Sequence, residues 1–260
     1  KDVFRTRNMR ALPGNCGLGQ VRYPTAGNAF SEEEAQPFYV NAPFGIVLVH
    51  NGNLTNAHSL RKELFDIDRR HLNTDSDTEV LLNVFAHELE LAGRTLPLTP
   101  SAVFKAVRAV NKPIKGSYAV ICLIAGYGMV AFRDPFGIRP LCLGEADLPE
   151  GREVMVASES VALEGTSHRF VRDVQPGEAL FIDLDGVVHA EQCADNAVLN
   201  PCMFEYVYLA RPDSVIDGVS VYQARLEMGE TLAQRVISKL PPNEIDVVIP
   251  IPESSRPSAM

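Results

Sequence analysis

The segment VLVHNGNLTN, residues 47–56, places a cluster of amide side chains directly after an apolar run. Asn51 and Gly52 are a favoured pair for a tight hairpin turn because both tolerate positive φ. The residues that follow predict a helix instead of a second strand. At a strand-to-helix turn, backbone N–H groups and the Asn51 amide would lie together, and such donors can stabilise an oxyanion. The segment therefore predicts either a plain turn or an oxyanion-binding turn.

An arginine, Arg22, lies in the segment GQVRYPTAG, one residue before the end of a predicted strand. An arginine in this position is usually a surface salt-bridge partner. Its planar guanidinium is also suited to bidentate binding of a substrate carboxylate. The residue types alone leave both roles open.

Acidic and hydroxyl side chains alternate in the segment NTDSDTE, residues 73–79, just where a helix is predicted to begin. Ser76 or Asp77 is a plausible N-cap, which accounts for some of these side chains. Two aspartates so close together, Asp75 and Asp77, would still leave one carboxylate free. If that carboxylate faces a pocket, it could bind the ammonium group of a ligand.

Hydrophobic periodicity predicts the elements that must position these residues. Strands are predicted at 18–23, 46–50, 117–124, 128–133, 153–157 and 179–184, and helices at 57–65, 77–92, 102–110 and 222–239. Asp-Pro followed by Gly in FRDPFGIRPL, residues 132–141, predicts a tight loop between two strands. Asn, Asp and Pro cluster at 195–201, so we place a domain boundary near residue 195.

Composition limits the class of protein. The chain has 260 residues, of which 46% are hydrophobic, so it can bury a sizeable core. A net charge of −9 argues against binding to a nucleic-acid backbone. Five scattered cysteines without a C-x-x-C pair suit a reducing compartment, and no signal peptide or spanning apolar segment is visible. We therefore expect a cytoplasmic protein that binds neither nucleic acid nor membrane.

The motifs occur together and in a fixed order: GQVRYPTAG, HNGNLTN, NTDSDTE, FRDPFGIRPL, ASESVAL, FEYVYLARPDS and DVVIPIPESS. Each motif is moderately specific, whereas the ordered set is highly specific. The set resembles the glutamine phosphoribosylpyrophosphate amidotransferases, and the resemblance extends over essentially the whole chain.

The resemblance implies an α+β protein. Residues 1–195 would form a class II glutaminase domain of the N-terminal-nucleophile type, a four-layer αββα sandwich that is truncated at its N-terminus. Residues 196–260 would form a linker and the beginning of an α/β phosphoribosyltransferase domain. The apolar residues 246–251 would be a buried strand of a parallel sheet whose other strands lie beyond Met260.

The resemblance also implies an activity and roles for site residues. Glutamine would be hydrolysed to glutamate and ammonia, and the ammonia transferred to phosphoribosyl pyrophosphate, giving 5-phosphoribosylamine for purine synthesis. Asn51, through its side-chain amide, and Gly52, through its N–H, would form the oxyanion hole. Arg22 would bind the α-carboxylate of glutamine and Asp77 its α-ammonium. The attacking cysteine of the family is the mature N-terminal residue, so it would precede Lys1, and this portion by itself would be inactive.

Cofactors and partners are implied in the same way. Mg²⁺ would bind in the phosphoribosyltransferase part beyond Met260, and a 4Fe–4S cluster bound in part by a cysteine near Cys202 stays undetermined. The small-molecule partners would be glutamine and phosphoribosyl pyrophosphate, and the family resemblance suggests a homotetramer.

Two alternatives stay open at the sequence level. One is another class II amidotransferase, such as a glucosamine-6-phosphate or asparagine synthetase, against which the RYPTAG turn and the phosphoribosyltransferase-like ending argue. The other is a non-catalytic module that binds glutamine or a partner protein and lacks the nucleophile.

Overall fold

A computed structural model of the chain describes residues 5–21, 32–149, 151–240 and 244–260. The helices are α1 (Thr6–Arg10), α2 (Ala57–Asp68), α3 (Asp77–Ala92), α4 (Pro100–Val110), α5 (Ser160–Gly165), α6 (Val221–Ile237) and α7 (Arg256–Ala259). The strands are β1 (Phe38–Val40), β2 (Ile46–Leu54), β3 (Gly116–Ile124), β4 (Gly128–Arg133), β5 (Cys142–Leu148), β6 (Gly151–Ala157), β7 (Arg169–Asp173), β8 (Glu178–Asp183), β9 (Val188–Gln192), β10 (Val215–Ile216) and β11 (Val219–Ser220).

Two antiparallel sheets form the centre of the fold. The larger has six strands in the order β1-β2-β3-β4-β8-β9, and the smaller has three in the order β6-β5-β7. Apolar side chains from both sheets, among them Ala131, Leu143 and Leu180, form a buried cluster between them. The sheets therefore pack face to face, as the two inner layers of a sandwich.

Helices cover both outer faces of the sandwich. Helices α3 and α4 bury Leu81, Phe85 and Val107 in a large core that includes Val120 and Phe132 of the six-stranded sheet. Helix α5 contacts β6 and β7 on the other side of the molecule. The order of layers is helix, sheet, sheet, helix, so the predicted αββα sandwich is confirmed.

The chain after residue 195 lies along the loop between β4 and β5. The N–H groups of Val198, Asn200 and Cys202 donate to carbonyl oxygens of that loop at 2.7–3.0 Å. A π-helix, Glu205–Leu209, follows and leads through the β10–β11 hairpin into α6. The guanidinium of Arg133 binds both carboxylate oxygens of Asp217 in this hairpin at 2.7 and 2.8 Å. A buried bidentate pair thus fixes this segment to β4.

Most predicted elements are present, but three predictions need correction. Strand β2 does not stop at His50: it continues to Leu54, so Asn51 and Gly52 lie within a paired strand and not in a turn. The described part of the predicted strand 18–23 is irregular, and the rest lies outside the described residues. Residues 246–251 form no strand, because no strand of the described residues lies beside them to pair with their backbone groups. The side chains of Val247 and Ile249 are exposed.

No helix among the described residues has the length and the apolar content needed to cross a bilayer.

Candidate functional site

The second half of β2 has a free edge that faces a cleft. Strand β1 pairs only with residues 46–48 of β2, whereas β3 pairs with the whole strand on its other side. Beyond residue 48, the side chain of Gln36 takes the place of β1. Its amide oxygen accepts from His50 N at 2.6 Å, and its amide nitrogen donates to His50 O at 3.0 Å. Polar side chains therefore replace strand pairing along this edge.

The Gly52 N–H is directed toward the same free edge. In an antiparallel pair, the N–H groups of alternate residues point to the same side of a strand. His50 N donates to Gln36 and Leu54 N donates to Asp77 Oδ2 at 2.8 Å, both away from β3. Gly52 lies between these two residues, so its N–H points the same way. This alternation leaves the Gly52 N–H between two occupied donors.

Only glycine fits at position 52. Its φ is +153°, in a region that side-chain-bearing residues rarely adopt. A Cβ atom there would lie 2.1 Å from the carbonyl oxygen of Ser117 and 2.6 Å from His50 Nε2. The glycine thus allows β2 and β3 to stay paired while His50 packs beneath the strand.

The side chain of Asn51 is oriented by an arginine that the sequence analysis did not single out. Arg139 Nη2 donates to Asn51 Oδ1 at 2.5 Å. Because a guanidinium only donates, the amide oxygen must face Arg139, and Asn51 Nδ2 is left to donate elsewhere. Arg139 belongs to FRDPFGIRPL, which forms the predicted tight loop. That motif was the only sequence signal that could have found it.

Asp134 shapes the loop that carries Arg139. It is fully buried, and its carboxylate accepts from the N–H groups of Phe136 and Ile138 at 2.9–3.2 Å. Burial raises the pKa of Asp134, and these backbone hydrogen bonds oppose the rise. The buried Asp134 carboxylate therefore holds the N–H groups of the loop, and the position of Arg139 does not depend on a flexible turn.

Asp77 is the first residue of α3 and lines the cleft. Its carboxylate binds Leu54 N and lies 3.9 Å from His50 Nδ1, and its side chain is only 14% exposed. The other aspartate, Asp75, is 95% exposed and pairs with Arg61. Ser76 caps the helix, accepting from Thr78 N at 3.3 Å. Capping thus uses Ser76, and of the two aspartates Asp77 is the one that faces the cleft.

His50 is a structural group beneath the site. Its ring nitrogens contact Thr78 Oγ1 at 3.2 Å and Ser117 O at 3.3 Å, and the residue is buried. Burial lowers the pKa of His50, against a smaller opposing effect from Asp77. A neutral imidazole is therefore the stable form beside Asp77.

One cleft of about 970 Å³ brings these groups together. Asn51, Gly52, Asp77 and Arg139 all line it. Arg22 lies outside the described residues, although Val21, which precedes it in sequence, lines the same cleft. The structure thus places three of the four predicted site residues around one cavity.

The described residues contain no group of three or more His, Cys, Asp or Glu side chains that could hold a metal ion. Cys202, half-buried and without a disulfide partner, is therefore not part of a ligand set there. The Mg²⁺ expected in the phosphoribosyltransferase part and the 4Fe–4S cluster both stay predictions.

Known proteins resemble this chain closely. Curated amidophosphoribosyltransferases are 58% identical to it in Escherichia coli, over 98% of this chain and 50% of that protein, and 47% identical in Schizosaccharomyces pombe, over 100% and 51%. The solved glutamine phosphoribosylpyrophosphate amidotransferase of B. subtilis, complexed with ADP and GMP, has a TM-score of 0.70 and 32% identity, over 92% of this chain and 47% of that one.

This chain therefore spans about half the length of the curated relatives it matches. A model of the glutamine amidotransferase domain matches residues 28–165, which is more than half of the chain and includes Asn51, Gly52, Asp77 and Arg139. The chain belongs to the glutamine amidotransferase domain family.

Proposed function

We propose that this chain supplies the glutamine-binding and oxyanion-stabilising part of an amidophosphoribosyltransferase. The full-length protein hydrolyses glutamine to glutamate and ammonia. The ammonia then displaces pyrophosphate from phosphoribosyl pyrophosphate and gives 5-phosphoribosylamine, at the start of purine synthesis. The amidophosphoribosyltransferases of Escherichia coli and Schizosaccharomyces pombe, which match the chain over nearly its whole length, support this choice among the glutamine amidotransferases.

The observation that carries the proposal is the convergence of Asn51, Gly52 and Asp77 on one cleft. The Asn51 amide and the Gly52 N–H stabilise the oxyanion of the tetrahedral intermediate formed at the glutamine side-chain amide. Asp77 binds the α-ammonium of the same glutamine. We assign Arg22 to its α-carboxylate, since a guanidinium and a carboxylate together reject ligands that lack either charge.

The attacking thiol comes from a cysteine at the mature N-terminus of the full-length enzyme, whose α-amine acts as the base. Four internal cysteines are poor candidates because nucleophilic attack requires the thiolate, which burial disfavours. Burial raises the pKa of Cys142 to about 12 and that of Cys193 to about 12. Burial also raises the pKa of Cys122, and partial burial that of Cys16.

The remaining assignments follow from the family. Residues 1–195 belong to the glutaminase domain, and residues 196–260 begin the phosphoribosyltransferase domain. Phosphoribosyl pyrophosphate with Mg²⁺ binds in the latter, beyond this chain. The enzyme works in the cytoplasm as a homotetramer.

Charge-removing variants of the two neighbouring aspartates test the glutamine site in the full-length protein. Asp77→Asn keeps an acceptor for Leu54 N but loses the charge, so KM for glutamine should rise roughly tenfold to a hundredfold. The matched control is Asp75→Asn, since Asp75 is exposed and should leave KM unchanged. Arg22→Ala should also raise KM for glutamine. Ammonia-dependent synthesis should stay intact in all three, and equal loss of the glutamine- and ammonia-dependent activities would contradict the site assignment.

A further inference from the structure

The side chains of Asn51, Arg139 and Glu205 are linked in a row from the cleft to the segment after residue 195. Asn51 Oδ1 accepts from Arg139 Nη2 at 2.5 Å, and Arg139 Nη1 lies 2.8 Å from Glu205 Oε1. The arginine and glutamate side chains are only 14% and 6% exposed. These contacts join residues that are 88 and 66 positions apart in sequence. The arginine therefore bridges β2 and the π-helix Glu205–Leu209.

The hydrogen-bonding groups of these three side chains are only partly used. Among the described residues, Arg139 Nε is buried without an acceptor. Glu205 Oε1 likewise has no aligned hydrogen bond, although the two charges are close. An ion pair in a weakly polar environment attracts strongly even without ideal alignment. Glu205 therefore restrains the guanidinium mainly through charge, and the directed bond of Arg139 is the one to Asn51.

The π-helix that carries Glu205 is itself anchored. The buried side chain of Arg225 in α6 donates to Tyr206 O and Ala210 O, each at 2.7 Å. Ala210 N closes the π-helix on Glu205 O at 2.9 Å. Glu205 is thus held by the backbone around it, which makes it a fixed point against which Arg139 can be positioned.

We propose that Arg139 is the positioning residue of the oxyanion hole, and that Glu205 holds Arg139 in place. The inference rests on the proposed role of Asn51. A guanidinium on Oδ1 fixes which end of the amide faces the substrate. It also polarises the amide, so that Nδ2 becomes a stronger donor to a negatively charged oxygen. Neither Arg139 nor Glu205 needs to touch glutamine for this effect.

A double-mutant cycle in the full-length protein tests whether Arg139 acts through Asn51. Asn51→Ala should lower kcat for glutamine hydrolysis about a hundredfold to a thousandfold. Arg139→Met should lower kcat about tenfold to a hundredfold, with KM for glutamine within about threefold. In the Asn51→Ala background, Arg139→Met should have less than about a threefold further effect, because the amide it orients is gone. An equal factor in both backgrounds, or an unchanged kcat in Arg139→Met alone, would overturn the proposal.

The outcomes separate this inference from the proposed function. A loss of kcat in Asn51→Ala with none in Arg139→Met refutes the positioning role and leaves the oxyanion hole standing. An unchanged kcat in Asn51→Ala refutes both. Glu205→Gln should lower kcat by a smaller factor than Arg139→Met, because Glu205 acts only through Arg139. A larger loss in Glu205→Gln would contradict this order of action. Arg211→Met is the control, since Arg211 lines the same cleft but pairs with the exposed Asp213.

A nuclear magnetic resonance measurement does not depend on turnover. The side-chain amide signal of Asn51, identified by its absence in Asn51→Ala, should shift in Arg139→Met and stay in place in Arg211→Met. If Arg139→Met does not fold, Arg139→Lys replaces it, since an ammonium keeps the charge but lacks the planar pair of donors. An amide signal that is the same in the wild type and in the Arg139 variant would also overturn the proposal.

Discussion

Replacing Gly52 by alanine should destabilise the fold, because the new methyl group has no space. The Cβ would stand 2.1 Å from the carbonyl oxygen of Ser117, the backbone of the paired strand β3. Real Cβ atoms do not come closer than about 3.0 Å to such an atom. Strands β2 and β3 would therefore have to separate by most of an ångström at this point, or the carbonyl would have to rotate away.

The cost has two parts. A φ of +153° costs a residue with a side chain about 1–2 kcal/mol. The contact with a backbone atom adds the cost of overpacking, about 1–3 kcal/mol. Together these amount to roughly 2–5 kcal/mol, which is a large part of the 5–15 kcal/mol that stabilises a typical domain. At about 2–4 °C per kcal/mol, the melting temperature should fall by roughly 4–20 °C.

Gly151 provides a matched control for the conformational part of this cost. Gly151 has φ +138° and no atom within 4 Å of its would-be Cβ, so Gly151→Ala carries the conformational cost without the contact. Urea unfolding of the three proteins would give the two free-energy differences. A loss in Gly52→Ala no greater than in Gly151→Ala would refute the reasoning that the close approach of β3 requires glycine at position 52.

Three further predictions concern the site and its supports. Asn51→Ala in the full-length protein should lower kcat for glutamine hydrolysis, by a loss of roughly 3–4 kcal/mol of transition-state stabilisation, with a modest change in glutamine affinity; unchanged turnover would remove Asn51 from the oxyanion hole. Arg133→Met should cost about 3–5 kcal/mol in the free energy of unfolding, because it leaves the carboxylate of Asp217 buried and unpaired. Arg211→Met breaks only the exposed pair with Asp213 and should cost less than about 1 kcal/mol. Equal costs of the two variants in urea unfolding would contradict this prediction. His50 has a lowered pKa in the folded state, so its contribution to stability is present above about pH 6.5 and is lost as pH falls below that value. In His50→Gln, the free energy of unfolding should therefore depend less steeply on pH, by up to about 1.4 kcal/mol per pH unit. Parallel curves of unfolding free energy against pH for the two proteins would argue against a neutral buried His50.

Local patterns predicted the elements that have long apolar runs. Helix α3 and strand β4 have the predicted bounds, Asp77–Ala92 and Gly128–Arg133. Both bury nearly continuous apolar runs, and α3 has a Ser N-cap that can be recognised in the sequence. Strands β7 and β9 were missed, since they are mostly half-buried and carry charged residues that conceal the alternation.

The candidate site was predicted in part. Asn51 and Gly52 were singled out because a predicted helix, and not a second strand, follows them, and Asp77 because two aspartates at a helix start exceed what one N-cap needs. All three line one cleft, and their roles stay predictions. Arg139 and Gln36 were not found, because their roles depend on contacts with residues distant in sequence: Arg139 with Asn51 and Glu205, and Gln36 with His50. No local pattern encodes such contacts.

The error about the turn has a physical consequence for how the proposed oxyanion donors, Asn51 and Gly52, are held. A turn would have presented Asn51 and Gly52 on a flexible connection, whereas β2 fixes them in a strand that is paired with β3 along its length. On the free edge, Gln36 takes the N–H of His50 and Asp77 takes that of Leu54, which leaves the donor of Gly52 between two satisfied neighbours. Preorganised donors need not reorganise when charge develops, and this is the main source of their effect on rate.

Variants that loosen the edge without removing a donor, such as Gln36→Ala, should therefore lower kcat more than they raise KM for glutamine. A change confined to KM in steady-state assays of the full-length protein would show that the edge serves binding alone.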